Sequence, residues 1–234
     1  MPKNGCWNCG MEIESPHFCS HCATLQPFPE GIDYFTVFGL GPLLNIDLSK
    51  LEEKFYDLSR KFHPDFYQRK SVEEARISLE NSAILNQAYR TLKDPIRRVE
   101  YLLGSVEGKK EIPTQAPGDL FEEILELQEL LEGVDEASAD PKKKSRMVDS
   151  LKKVQACFQE HWEEGNRSLD RLSLEWDREQ ERPIETRKTQ TSGSGLEETK
   201  RILAEIKQVL SHRGYLERAL ENVQSGINKM EKGE

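Results

Sequence analysis

Apolar side chains return at helical intervals along much of the chain. Leu51, Phe55, Leu58 and Phe62 are separated by steps of four, three and four residues, which puts them on one face of a helix. Lys54, Arg60 and Lys61 lie off that face. Asp47 or Ser49 can cap its start, and Ser49 with Glu52 has capping-box spacing. Pro64 has no amide hydrogen to continue the ladder and biases His63 away from the α region, so the helix is expected to stop there. Ser71 and Glu74 form a second capping box, opening a long helix through Ala75, Leu79, Ala83, Ala88, Tyr89 and Leu92. Asp94-Pro95 interrupts it, and Arg97 to Leu103 add a last turn or two ending at Gly104. Upstream, Tyr34, Phe35, Val37, Phe38 and Leu40 form a dense apolar group, broken by Gly39, Gly41 and Pro42. Two long helices joined by the short loop 63–70 predict an antiparallel hairpin.

The second half reads as three more helices. Pro113, Pro117 and Gly118 mark a linker. In the helix that follows, Leu120, Ile124, Leu127 and Leu131 make one stripe, and Phe121 and Leu125 a second beside it. That apolar face is wide for a surface helix. Either both stripes are core or one meets another protein. Asp135 to Pro141 is a polar loop, and Lys142 to Arg146 fit the solvated first turn of the next helix, which uses Val148, Leu151, Val154, Phe158 and Trp162. Gln180 to Gly195 are polar and expected to be loose. A last helix is expected over Leu196 to Asn222, with Gly226 and the tail fraying. The fold class is therefore all-α, ending in a three-helix bundle.

Composition narrows the function. Hydrophobic residues are 36% and charged residues 32% of the 234, sparse for a compact sandwich but too clustered for disorder. No stretch approaches the roughly 20 apolar residues of a membrane span. The net charge of -9 argues against nucleic acid as the main ligand. Residues 1–10 carry neither a secretory signal nor a transit-peptide pattern. Within residues 48–70, however, Lys50, Lys54, Arg60, Lys61, Arg69 and Lys70 outnumber Glu52, Glu53, Asp57 and Asp65, a local +2 that suits an acidic partner. His63 and Asp65 could form an acid/base pair. Nothing nearby supplies a nucleophile, and a loop between two charged helices is expected to offer no apolar pocket, so catalysis is disfavoured.

Four of the five cysteines fall together as C-x2-C, nine residues, C-x2-C: Cys6, Cys9, Cys19 and Cys22. Two such knuckles complete the tetrahedral thiolate shell of a Zn(II) ion, and four protein ligands leave no open catalytic position. Gly10 follows the first knuckle, where a positive φ is often needed. Too few apolar residues accompany them to form a core, so metal would supply most of the folding energy. Two disulfides would need an oxidising compartment. An iron-sulfur cluster is the lesser alternative, and His17 or His21 would be ligands only if a thiolate were displaced. Cys157 stands alone in a helical pattern and is expected to be a small buried apolar residue.

His63-Pro64-Asp65, between a basic helix and a helix ending in N-x-A-Y-x-T-L-x-D-P (Asn86 to Pro95), resembles a J-domain. The order of parts is similar to that of the HscB, or Jac-type, iron-sulfur cluster co-chaperones, especially the eukaryotic form, whose N-terminus carries a C-W-N-C-G knuckle as at Cys6 to Gly10. The resemblance implies three parts: a four-cysteine zinc module at 1–30, a J-domain at 31–104 and a scaffold-binding three-helix domain at 112–234. It implies a non-enzymatic co-chaperone whose HPD loop, with Lys54, Arg60 and Lys61, stimulates a DnaK-type ATPase. Its Phe121, Leu125, Glu126 and Glu129 would bind an IscU-type scaffold, with Glu122 where the family has an apolar residue and Gln128 where it has Arg. The cofactor implied is structural Zn(II). The compartment implied is the mitochondrial matrix, with a cytoplasmic pool and a homodimer left open. A general J-protein delivering unfolded clients would have a Gly/Phe-rich linker or β-rich domains after residue 104, and the sequence has neither. A metal or redox protein using the four cysteines is the third class.

Overall fold

The structure is a computed structural model that describes residues 5–13, 17–108, 111–137, 140–182 and 194–232. Among these residues there are seven α-helices and no strand, only isolated bridges at Gly5–Glu12 and Phe18–Leu25. No described helix is long and apolar enough to cross a membrane. The chain forms two compact units, Met1–Lys109 and Lys110–Glu234.

In the first unit α1 (Tyr34–Val37) is capped by Asp33, and α2 (Leu48–Phe62) by Asp47, whose carboxylate accepts the Ser49 and Lys50 amides at 3.1 Å each. Those contacts satisfy amides the first turn leaves without partners. A 3-10 turn (Pro64–Phe66) follows, then α3 (Val72–Lys93) and α4 (Pro95–Glu107). Ser71 caps α3 through the Glu74 amide at 3.2 Å, and Asp94 caps α4 through Ile96 and Arg97. The expected hairpin is present. Phe55 of α2 stacks on Tyr89 of α3 with centroids 4.1 Å apart, and the Tyr89 hydroxyl donates to Glu52 at 3.0 Å. The buried face of α3 is Ile77, Ser78, Asn81, Leu85, Ala88 and Leu92, while Leu79 is exposed. Gly104, expected to end α4, lies inside it, and the chain leaves the helix at Gly108 with φ of 84°. Tyr101 closes the unit. Its ring stacks on Tyr34 at 4.4 Å, and its hydroxyl accepts from the Tyr34 amide and donates to Asp33.

The second unit contains α5 (Phe121–Ala137), α6 (Pro141–Glu181) and α7 (Ser194–Lys232). Its core is Leu120 and Leu127, Leu151, Val154 and Phe158 from α6, and Leu216, Val223 and Ile227 from α7. At 1.5 Å per residue α6 is about 60 Å long and α5 about 25 Å. The bundle therefore has three helices at one end and two at the other, where Leu169, Leu172 and Trp176 of α6 and Ile202, Ile206 and Leu210 of α7 are buried. Arg201 of α7 meets Glu175 of α6 there at 2.8 Å. The segment before α5 is held on α7 by Ser211, whose hydroxyl accepts the Gln115 amide at 3.1 Å and donates to the Pro113 carbonyl.

Two further expectations change. The segment expected to be loose includes the end of α6 and the start of α7, and its central part, 183–193, lies outside the described residues. The fraying expected at Gly226 does not occur, because α7 continues to Lys232 and buries Val223, Ile227 and Met230, while the last two residues of the tail lie outside the described residues. Gly226 permits this. A Cβ there would stand 3.0 Å from Leu131 and 3.5 Å from Leu151. Gly165, by contrast, would meet only Val209 at 3.7 Å. Gly226→Val is expected to lower stability by about 1–3 kcal/mol through overpacking. Gly165→Ala is expected to raise it by about 0.5–1 kcal/mol, because the helix loses an entropic penalty. Urea denaturation followed by circular dichroism checks both.

Candidate functional site

The cysteine module is built from two knuckles of the same design. The Gly10 amide donates to the Cys6 carbonyl and the Ala23 amide to the Cys19 carbonyl, both at 2.9 Å. The Cys6 and Cys19 amides reach across to Met11 and Thr24 at 2.7 and 3.0 Å. The turn needs a left-handed residue in each knuckle. Gly10 meets that need at φ 72°, as expected, and Ala23 occupies the same role at φ 54°, at a cost of roughly 1–2 kcal/mol for a side chain with a Cβ. The four sulfurs lie within 4.8 Å of one another, with Cys6–Cys22 at 3.6 Å and Cys9–Cys19 at 3.7 Å. A tetrahedron of thiolates about 2.3 Å from a central ion has edges of about 3.8 Å, so the donor set fits a metal. Electrostatics point the same way. The Thr24 hydroxyl, 3.1 Å from Cys22, draws that thiol down to about 6. The Met11 amide pulls the Cys9 thiol down too, but desolvation and the neighbouring sulfurs outweigh it and push it up to about 12. Four thiolates this close cannot coexist without a cation between them.

Groups around the sulfurs orient them. The Asn8 amide and the Gln26 side-chain amide both donate to Cys6, at 3.4 and 3.3 Å, and the Trp7 indole donates to the Leu25 carbonyl at 2.7 Å. His17 is not part of the cluster. Its ring packs edge-on against Phe28 and Phe62, while His21 is exposed.

The loop after α2 has a second arrangement. His63 is the C-cap of α2, and its Nδ1 accepts the Asp65 amide at 3.3 Å, which in the neutral ring leaves the proton on Nε2. Asp65 and His63 are both exposed. Of the basic residues expected beside them, Lys61 is exposed and Arg60 pairs with Asp57 at 2.6 Å. Lys54 donates to the Phe38 carbonyl at 2.7 Å, a structural tie its sequence position did not announce. Contrary to expectation, the loop does carry apolar surface. Phe66 is 67% and Tyr56 55% exposed, and with Ser59, Arg60, His63 and Asp65 they line one cleft. The signal in the sequence was that neither aromatic belongs to the stripe of Leu51, Phe55, Leu58 and Phe62.

On α5 the two apolar stripes part company. Leu120 and Leu127 are buried, whereas Phe121 is 64% and Leu125 44% exposed. The core reading of the second stripe therefore does not hold. Glu126 and Glu129 are exposed on the same helix, as are Glu122 and Gln128. Cys157 is partly buried against the bundle core, and burial raises its thiol.

Replacing Cys6 or Cys22 with Ser is expected to release about one bound metal ion per chain and to unfold residues 5–28 while the helices persist, since that segment has too little apolar area to fold alone. Metal analysis with far-ultraviolet circular dichroism checks this, and full retention of the ion would contradict the assignment.

No family model matches the chain. Curated relatives do. It is 35% identical over 161 residues to an Arabidopsis thaliana protein named iron-sulfur cluster co-chaperone protein HscB homolog, a match covering 68% of this chain and 63% of that protein. The mouse iron-sulfur cluster co-chaperone protein HscB is 36% identical over 132 residues, 54% of this chain and 56% of that one. The human protein of the same name is 32% identical over 154 residues, 64% of each. The matches thus span just under two thirds of those proteins or less. The crystal structure of human co-chaperone protein HscB superposes with a TM-score of 0.60 at 23% identity, covering 94% of this chain and 96% of that one, a likeness of fold. With the all-helical architecture and the clustered cysteines, these relatives make the chain a homologue of the HscB iron-sulfur cluster co-chaperones.

Proposed function

We propose that the chain is a non-enzymatic co-chaperone of iron-sulfur cluster biogenesis, working as an adaptor with two protein-binding faces. The observation that carries the reading is the His63-Pro64-Asp65 turn, with His63 and Asp65 exposed and Pro64 half-buried, flanked by Phe66, Tyr56 and the cations of α2, in a homologue of HscB. An exposed polar turn with aromatic neighbours is the kind of surface that recognises a partner rather than stabilises its own core. In this reading residues 31–104 are a J-domain. His63, Pro64 and Asp65, with Arg60, Lys61 and Lys54, engage a DnaK-type chaperone and stimulate its ATPase. The basic face would speed encounter with an acidic partner, and salt would slow it.

Residues 112–234 are then the scaffold-binding part. Phe121 and Leu125 supply an apolar anchor and Glu126 and Glu129 a charged rim, facing an IscU-type scaffold. Anchors that are exposed in the free protein and buried in the complex carry most of the energy of such an interface. Residues 1–30 bind Zn(II) structurally, because four protein thiolates leave no position open for chemistry. The mitochondrial matrix is the compartment this reading implies.

His63→Gln or Asp65→Asn is expected to abolish stimulation of a DnaK-type ATPase while helical content and scaffold binding stay intact. Stimulation by His63→Gln at the level of the unaltered protein would exclude the J-domain reading. Truncating Phe121 and Leu125 together to Ala is expected to remove roughly 2–4 kcal/mol of interface energy, or about 30- to 1,000-fold in affinity. A calorimetric titration with the scaffold measures it. The melting temperature should hardly move, since both side chains are solvated in the free chain.

A further inference from the structure

The cysteine module does not stand apart from the hairpin. The Asn81 side chain, 1% exposed on α3, accepts the Phe28 amide at 3.0 Å and donates to the Gln26 carbonyl at 2.8 Å. The Gln26 side chain in turn donates to the Cys6 sulfur. The Phe28 ring meets the Phe62 ring edge-on at 5.5 Å, and His17 and Phe18 pack on the same ring at 5.3 and 6.3 Å. Phe62 is completely buried and is the residue before His63. Its carbonyl accepts from Ser78 and Ser82 of α3 at 2.6 and 3.0 Å. One residue further back, the Lys61 carbonyl accepts from the hydroxyl of Tyr67, on the far side of the turn, at 2.9 Å. The backbone that enters the His63-Pro64-Asp65 turn is thus gripped by hydroxyls of α3 and by three rings of the cysteine module.

Those rings sit on a segment whose order depends on a metal crosslink, because it has too little apolar area of its own. We propose that the cysteine module is a support for the 63–70 loop, with Phe28, Asn81 and Phe62 as its positioning residues, so that metal occupancy sets how well the loop is ordered. Without the module Phe62 loses its contacts with the rings of His17, Phe18 and Phe28, and the last turn of α2 is held by its helical bonds and its remaining contacts with α3, the Ser78 and Ser82 hydroxyls among them. The loop then presents the chaperone-facing geometry for only part of the time, and apparent affinity falls by that fraction. The functional half of this proposal rests on the reading of His63-Pro64-Asp65 as the ATPase-stimulating turn. The positioning half does not.

The test is amide hydrogen exchange on the full chain, beside a titration of DnaK-type ATPase stimulation. The samples are the metal-loaded protein, the chelator-stripped protein, Phe28→Ala and Phe28→Leu. The Phe66, Tyr67 and Lys70 amides, bonded within the loop to His63, Pro64 and Tyr67, are expected to exchange about tenfold faster in the stripped protein and in Phe28→Ala. Phe28→Leu keeps apolar volume against Phe62 and should recover most of the protection. The half-saturating concentration for stimulation should rise in the same order, by about tenfold where the loop is ordered one tenth of the time, with the maximal rate little changed. Should Phe28→Ala lose its metal, the stripped protein carries the comparison. Unchanged loop exchange in the stripped protein overturns the proposal. Faster loop exchange with an unchanged half-saturating concentration overturns its functional half. A metal-loaded chain that stimulates no DnaK-type ATPase overturns the reading beneath it, and the exchange data still decide whether the module holds the loop.

Discussion

A shortage of apolar side chains governs how this chain packs. With 36% hydrophobic and 32% charged residues, no element has enough apolar area to be ordered alone, and each depends on a neighbour or an ion. Phe62 is the point where this dependence concentrates. One ring, fully buried, completes the stripe of α2 and receives three rings of the cysteine module, His17, Phe18 and Phe28. The module gains from a neighbour the apolar burial that its own composition denies it, and the hairpin gains a cover over its end. Hydrogen bonds then fix the register that apolar contact leaves open. Asn81 holds two backbone groups of the module at once, which aligns it along α3.

The same shortage explains the three-helix unit. α5 reaches along less than half of α6, so the three-helix core is confined to one end, where Leu120–Leu127, Leu151–Phe158 and Leu216–Ile227 form the larger cluster and Val134, Ala137 and Met230, with Met147 and Val148, a smaller one. Beyond it α6 and α7 bury Leu169, Leu172, Trp176, Ile202 and Ile206, and Arg201 of α7 ties to Glu175 of α6 as well as to Glu198 and Glu205 of its own helix. Exposed ion pairs of this kind contribute little individually. In so sparing a chain, an exposed Phe or Leu stands out. Phe121 and Leu125 on α5, and Phe66 and Tyr56 beside the loop, are apolar area that folding left unused and that a partner can cover.

The two knuckles show how local geometry and metal chemistry meet. Both close through the same pair of backbone hydrogen bonds and both need a left-handed residue, yet only one has glycine. The strain at Ala23 persists because sulfur positions are dictated by the shared site. Neutral thiols would scarcely need such closeness, and thiolates would not tolerate it without a cation.

Spacing alone carried the long helices, the caps at Asp47 or Ser49 and at Ser71, the break at Asp94-Pro95, the two knuckles and the inner stripe of α5, because helical periodicity and turn chemistry act within a few residues. The resemblance to HscB was legible from the HPD tripeptide, its flanks and the order of parts. What the sequence could not decide was everything set by a partner distant along the chain. Whether the second stripe of α5 is core depends on the breadth of α6 and α7 against it. The continuation of α7 past Gly226 depends on Leu131 and Leu151 closing over a residue that disfavours helix when isolated. Lys54 looked like a free charge and holds the Phe38 carbonyl. His17 looked like a spare ligand and is a ring packed on Phe62. Local pattern determined which elements form, and only the tertiary structure decided which of their faces are spent on folding and which remain for binding, since burial is a property of pairs of segments and not of any one of them.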